Sequence, residues 1–282
     1  MNNLILFLIL IQGFLNTIIA SHFRYGSITW TPLSNGTNLG LRYVVLSLTT
    51  SWGWRNDFDY FTGCNYSVIS SGKLMGATAS IYCSGCNSSN IVLTDSSMYC
   101  TGFSPASAEN WSFGYRTKTL TVYLNSSSVD IYFNGTAWQN LVPINNSDWM
   151  VKAKLNLQVR PDNGLINTSP VLSSYPTYCV RQGYNYTIII PIVDLNDDDL
   201  RCRWATNSTI NGDECAGICG IIDSISTLTY TRSSAGTQCF LKFRGDLASY
   251  GKYLIHLNNK NIIRINNKNK YLNRMVCSSI ND

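Results

Sequence analysis

Charge is scarce in this chain of 282 residues: Asp, Glu, Lys and Arg make up 13% of it, against roughly 25% in ordinary soluble domains. That scarcity excludes a disordered polyampholyte, a coiled coil and a charge-coated cytosolic enzyme. Histidine is almost missing, with only His22 and His256 near opposite ends. Neither G-x-S-x-G nor H-E-x-x-H occurs, so two common hydrolase signatures are absent. No segment of ten or more residues repeats its apolar positions every 3.6 residues between caps, which argues against long helices. Beyond the first 20 residues the next apolar run, Ile188–Ile190 with Ile192 and Val193, is far shorter than the ~20 residues of a spanning helix.

What is present points outside the cell. Residues 4–11, LILFLILI, are followed by the diluting Gln12, Gly13, Asn16 and Thr17, and Ala20 precedes the polar SHFRYG. Residues 1–20 read as a secretory signal peptide cleaved after Ala20, leaving a secreted chain with no membrane span. Asn-X-Ser/Thr triplets begin at Asn35, Asn65, Asn87, Asn110, Asn125, Asn134, Asn145, Asn167, Asn185 and Asn207. Each is a potential glycan acceptor, and a glycan coat would keep an aromatic-rich, charge-poor chain in solution.

The ten cysteines agree with that compartment. Cys64, Cys83, Cys86 and Cys100 form one cluster, Cys179, Cys202, Cys215, Cys219 and Cys239 another, and Cys277 stands in the tail. Such clusters read as disulfide frameworks, and spacing alone leaves the connectivity open. Cys83-Ser-Gly-Cys86 has the spacing of a redox or zinc half-site, but neither a thioredoxin-like βαβ context nor a matching second pair accompanies it.

From 22 to 160 the pattern is strand after strand. SITWTPL, GLRYVVLSLTT, TASIYC, TKTLTVYLN, SVDIYFN and KAKLNLQVR are β-branched or aromatic and are parted by Asn/Gly/Ser clusters. LTVYLNSSSVDIYFNGTAW reads as a hairpin turning around Asn125–Ser128. The expected fold is mostly β, with two β-sandwich-like domains. The first spans 21–160, a linker broken by Pro161, Gly164 and Pro170 covers 161–173, and 174–257 form a second, truncated domain. There NYTIIIPIVD, LRCRWAT, STLTYT and QCFLKFR are the expected strands, with the spacing of an immunoglobulin- or cadherin-like sandwich. Cys202 and Trp204 then share one strand face, as a core tryptophan beside a disulfide.

The tail differs in kind. Residues 258–282 hold eight Asn, five Lys+Arg and one acid, so nearly all of the net +5 belongs to them. A basic tail can serve nucleic acid or an anionic membrane, but the signal peptide argues against nucleic acid. The segment reads as disordered, with the A/T-rich codon usage of a translated intron or shifted frame.

Three segments carry a resemblance. SHFRYGSITWTP (21–32), RPDNGLINTSPV (160–171) and IPIVDLNDDDLRCRWA (190–205) followed by ECAGIC (214–219) resemble the N-terminal region of large animal extracellular proteins similar to von Willebrand factor D and EGF domain-containing protein. The resemblance implies a secreted or surface module joined to matrix or adhesion domains, with no enzymatic activity to carry over. After GKYLIHL that family's acidic strand motif is replaced by NNKNIIRINN, so the chain is expected to be a truncated N-terminal fragment.

Three constellations are left. Asp194, Asn196, Asp197, Asp198 and Asp199 are candidate oxygen ligands for Ca²⁺, set against a solvated acidic turn; Ca²⁺ is the only cofactor considered. Asp57, Asp59 and Glu109 are scattered acids for a glycosidase pair. Trp52, Trp54 and Tyr60, in SWGWRNDFDYF with Phe58 and Phe61, offer an aromatic platform for an extracellular protein or carbohydrate, unless they face a β core. The reading is a non-catalytic secreted or cell-surface adhesion, matrix or recognition module, with a secreted hydrolase or a calcium-stiffened spacer as alternatives.

Overall fold

The computed structural model describes residues 23–33, 43–56, 63–76, 79–86, 91–104, 110–123, 128–136, 138, 148–172, 185–196, 198, 200, 202–208, 212–218, 226–233, 236–243, 252–256 and 262–266. The chain is mostly β, in antiparallel sheets. Its first part runs β1 (Phe23–Pro32), β2 (Tyr43–Arg55), α1 (Tyr66–Ser71), β3 (Leu74–Met75), β4 (Ser80–Ser84), β5 (Ile91–Asp95), β6 (Met98–Ser104), β7 (Trp111–Tyr123), β8 (Ser128–Gly135) and β9 (Trp149–Asn156). These strands build a front sheet, ordered β1-β2-β7-β6-β3, and a back sheet, ordered β5-β4-β8-β9.

Period-2 alternation decides which side of each strand meets the core. In β2, Val44, Leu46, Leu48 and Trp52 are buried while Val45, Ser47, Thr49 and Ser51 stay partly exposed. In β8 and β9, Val129, Ile131 and Phe133, then Val151, Ala153 and Leu155, are buried in the same rhythm. Both inner faces contribute to one hydrophobic core, the arrangement of a β-sandwich. Its centre is aromatic: Phe23 stacks on Trp149 with centroids 3.5 Å apart, and Trp52 lies 4.7 Å from Phe133. The Trp149 indole donates to the Thr136 carbonyl at 2.9 Å, which satisfies the polar edge of a buried ring.

Three expectations need correction here. The segment read as a hairpin around Asn125–Ser128 joins two sheets: β7 pairs with β2 and β6, whereas β8 pairs with β4 and β9. The inner residues on either side of the connection, Val122 and Val129, both enter the core, so the chain crosses the sandwich instead of folding back in one plane. A helix also forms where none is expected. The Asn65 side chain accepts from the Val68 N–H at 2.9 Å, and Gly72 closes α1 in the left-handed region at φ 59, the usual pair of start and stop signals. Where a strand is expected at 200–206, the described residues 200 and 202–206 form none, and Asn207–Ser208 (β12) pairs with Gly212–Asp213 (β13). That stretch is held by the Cys202–Cys239 disulfide and by Glu214, which accepts from the Thr206 N–H at 3.1 Å.

The second part is a four-stranded antiparallel sheet. Counting on from Val171–Leu172 (β10) and Tyr186–Val193 (β11), its other members are Ser226–Ser233 (β14) and Gly236–Phe243 (β15), in the order β10-β11-β15-β14. Ile188, Ile190, Cys239 and Leu241 are its buried residues on β11 and β15. Lys252–His256 (β16) pairs with Ile262–Asn266 (β17), so part of the stretch expected to be disordered contributes a strand. No helix among the described residues is long and apolar enough to cross a membrane.

The connection between the two parts is tightly bonded. The Arg160 N–H donates to the Leu165 carbonyl at 2.8 Å and the Gly164 N–H to the Arg160 carbonyl at 2.9 Å. Further on, the Ser169 N–H donates to the Trp30 carbonyl at 2.9 Å. Beside the start of β9, the Gly217 N–H donates to the Asp148 carbonyl at 3.1 Å, and the Lys152 charge on β9 acts on Glu214 to lower its pKa.

Candidate functional site

On the outer face of the front sheet, the β7 positions Tyr115, Thr117, Thr119, Thr121 and Tyr123 are exposed. Register builds that face. Thr29, Thr49 and Thr117 stand side by side on β1, β2 and β7, and Thr31, Ser47 and Thr119 form the next rank. The buried Ser27, the half-buried Ser51 and Tyr115 form a third. All three β7 members are exposed. The hydroxyls of Thr49 and Thr117 bond each other at 2.9 Å, and Ser51 donates to the Gly114 carbonyl at 3.1 Å.

Aromatic rings close both ends. Tyr43 and Tyr123 lie opposite each other with centroids 5.8 Å apart. At the other end Tyr25 lies over Gly53, where a Cβ would sit 3.1 Å from the Tyr25 Cβ, and its hydroxyl bonds Ser51 and Ser27. Burial pushes the Tyr25 phenol above its ordinary value, against the pull of those two hydrogen bonds. Trp111 and Phe113 continue this end, 5.4 Å apart.

The cations of β7 point the other way. Arg116 and Lys118 alternate with Thr117 and Thr119 and turn to Asp95 on β5 of the back sheet. Lys118 Nζ is 2.6 Å from Asp95 Oδ2 and Arg116 Nη1 is 3.3 Å from Asp95 Oδ1. Lys118 also donates to Thr94 Oγ1 at 2.6 Å, and Ser97 bonds both Asp95 and Arg116. Desolvation alone would raise the Asp95 pKa; hydrogen bonds from Lys118 and Ser97 outweigh it and hold the carboxyl well below the usual range. The outcome is a polar clasp between sheets and a front face without charge in its hydroxyl ranks.

The expected platform is placed differently. Trp52 and Trp54 are 0% and 7% exposed and face the core, so they are unavailable to a ligand; Tyr60, Phe58 and Phe61 lie outside the described residues. The alternation of T-K-T-L-T at 117–121 is the sequence signal of the exposed threonine face on β7.

The acidic turn is occupied by the protein itself. Asp194 Oδ1 accepts from the Asn196 and Asp198 N–H groups at 2.8 and 3.3 Å. Asn196 Oδ1 accepts from the Thr168 N–H at 2.8 Å and the Thr168 hydroxyl at 2.6 Å. Asp198 pairs with Arg160 at 2.6 Å, and Arg160 also pairs with Asp162. Asp197 and Asp199 lie outside the described residues. Among the described residues no group of three or more His, Cys, Asp or Glu side chains has the arrangement of a metal site.

Three disulfides join Cys64 to Cys100, Cys83 to Cys86 and Cys202 to Cys239, and Cys215 is disulfide-bonded as well. Cys179, Cys219 and Cys277 lie outside the described residues. Of the glycan acceptors, Asn65, Asn134, Asn185 and Asn207 are exposed and Asn110 and Asn167 half-buried; Asn35, Asn87, Asn125 and Asn145 fall outside. Asp57, Asp59, Glu109 and His22 also fall outside, as do residues 1–20. The buried Glu214 is held ionised by Arg203, at 2.6 and 2.7 Å, and by the Thr206 N–H, against the desolvation that would raise its pKa.

Residues 24–158 match the family model described as Integrin beta-like protein A-E, N-terminal. The match runs from the second residue of β1 to just past the end of β9, so it covers both sheets of the sandwich. It is a likeness to an adhesion-type extracellular domain, not to an enzyme family. No curated protein matches the chain, and nothing found supports the resemblance to proteins similar to von Willebrand factor D and EGF domain-containing protein.

Proposed function

We propose that this protein is a non-catalytic adhesion or recognition module of the cell exterior. It enters the secretory route on residues 1–20, carries glycans on its exposed acceptors and engages its partner through the outer face of the front sheet. The observation that carries this reading is the match of residues 24–158 to the N-terminal domain of integrin beta-like proteins. Support comes from the disulfides of both parts, which suit an oxidising compartment. Five of the described carboxylates also favour it: Asp95, Asp130, Asp162, Asp198 and Glu214 are each paired with a Lys or Arg.

Beads coated with the full secreted chain test it. They are expected to adhere to cells or to a surface matrix, and Thr117→Glu with Thr119→Glu is expected to abolish adhesion without unfolding the protein. Coated beads that adhere no better than albumin-coated ones overturn the adhesion reading. Adhesion unchanged in the double variant moves the contact to another face.

A further inference from the structure

We infer that residues 157–170 are a strap across the open side of the sandwich, and that the turn after β11 is the clasp that locks the second part to it, so that the two parts move as one rigid body. The first observation is where the strap lies. β1 and β9 are edge strands of the two sheets, and the stacked Phe23 and Trp149 rings bring their first residues together. Without a cover, that side of the sandwich would present two unpaired edges and a way into the core. The strap leaves β9, buries Leu157 and Ile166 in the same core as Trp30, and arrives at β1, where the Ser169 N–H donates to the Trp30 carbonyl at 2.9 Å. Val159 and Ile166 pair with each other on the way. A free linker between domains is exposed and makes few contacts; here Ile166 is 3% and Ser169 4% exposed.

The second observation is that neighbouring residues of the strap are held by opposite parts. Ser169 is bonded to the sandwich. Thr168, beside it, gives both its N–H and its hydroxyl to Asn196 Oδ1 of the second part, at 2.8 and 2.6 Å. Towards the strap's start, Arg160 pairs with Asp198 at 2.6 Å. The turn is shaped for this grip. Asp194 Oδ1 accepts from the N–H groups of Asn196 and Asp198, which fixes the backbone carrying the two side chains that hold the strap. Asp194, Asn196 and Asp198, read in the sequence as calcium ligands, thus work as a fastening between polypeptide segments.

The third observation is the spacing of the attachments. A single tether leaves a domain free to swivel, and relative motion is the default across small polar interfaces within a chain. The second part is also attached at the opposite end of β9. There the Gly217 N–H donates to the Asp148 carbonyl at 3.1 Å, and a Cβ on Gly212 would stand 3.3 Å from Lys152 Nζ. Between Asp148 and the strap lie the 8 residues of β9, about 27 Å of strand. Two attachments so far apart remove the rotation that either one alone would allow.

The test is the distance distribution between two spin labels on the full secreted chain, with EDTA present. One label replaces Thr119 on β7 and the other Lys242 on β15, both carried on keto amino acids so that the cysteines stay untouched. The parent is expected to give one narrow distribution. Asn196→Ala with Asp198→Ala opens the clasp and is expected to broaden it about twofold or more. Thr168→Val keeps the side-chain shape, removes only the hydroxyl bond and is expected to broaden it less. Asp162→Ala, which touches Arg160 within the strap, is expected to leave the width unchanged. Circular dichroism and a mapped Cys202–Cys239 pair show that each variant is folded; if the double variant is not, Thr168→Val decides. A parent distribution as broad as that of the variants overturns the inference, as do folded variants as narrow as the parent. Narrowing that requires added calcium also overturns it and makes the metal the clasp.

Discussion

Asn65 caps α1 and also opens an Asn-X-Ser triplet, a potential glycan acceptor, and substitutions can separate the two. Asn65→Ala removes both the bond to the Val68 N–H and the acceptor, whereas Ser67→Ala removes only the acceptor. The first is expected to cost about 1 kcal/mol more in urea unfolding than the second, while both lose the same increment of mass. Gly114 is a second residue with no substitute. It sits on the central strand β7, where a Cβ would overlap the Tyr99 carbonyl of β6. Gly114→Ala is therefore expected to destabilise by at least about 3 kcal/mol, or to prevent secretion, since backbone and not a movable side chain is in the way. At this scale the sequence was partly readable. Trp52 and Trp54 could be named as a pair, but whether they meet solvent or core follows from strand parity, and parity turns both inward.

Among the elements, strands with one buried face were the most legible, because a period of two in β2, β8 and β9 leaves no freedom of register. What escaped was pairing. β7 and β8 read as a hairpin because a local pattern is the same whether two strands lie in one sheet or face each other across a core. α1 escaped because six residues hold no periodic signal, and the 200–206 stretch misled because disulfide and ion-pair constraints replaced strand pairing there. The hydroxyl ranks were illegible for a related reason: Thr29, Thr49 and Thr117 are far apart in sequence and only register makes them neighbours. Pairing between sheets gives a further prediction at the Asp95 clasp. Asp95 has its carboxyl pKa depressed in the folded protein, while an unfolded chain titrates near 3.9. Its contribution is therefore fully present above the unfolded value and is lost as pH falls below it. Asp95→Asn is expected to be less stable than the parent at neutral pH, the gap closing as the pH of denaturant titrations drops below about 4. A gap independent of pH would show that the clasp acts through packing and not through charge.

At the scale of the whole molecule, Arg160 fastens the linker to the turn that follows β11. It reaches Asp162, Asn167 and Asp198 at once, tying the linker to the acidic turn. Arg160→Ala is expected to speed proteolysis between 160 and 198, read by mass spectrometry of early fragments, while the melting of the 24–158 sandwich stays put. The Cys64–Cys100 bond has another consequence, a mechanical one. A module that holds on to a surface, as proposed here, is pulled, and this disulfide spans 36 residues of the sandwich. Stretched between its ends in a force spectrometer, the oxidised sandwich can release only the chain outside that loop, and reduction adds about 36 × 3.5 Å, or roughly 13 nm, of extension. The crosslink therefore works as a tether-shortener: under load it limits how far the sandwich pays out.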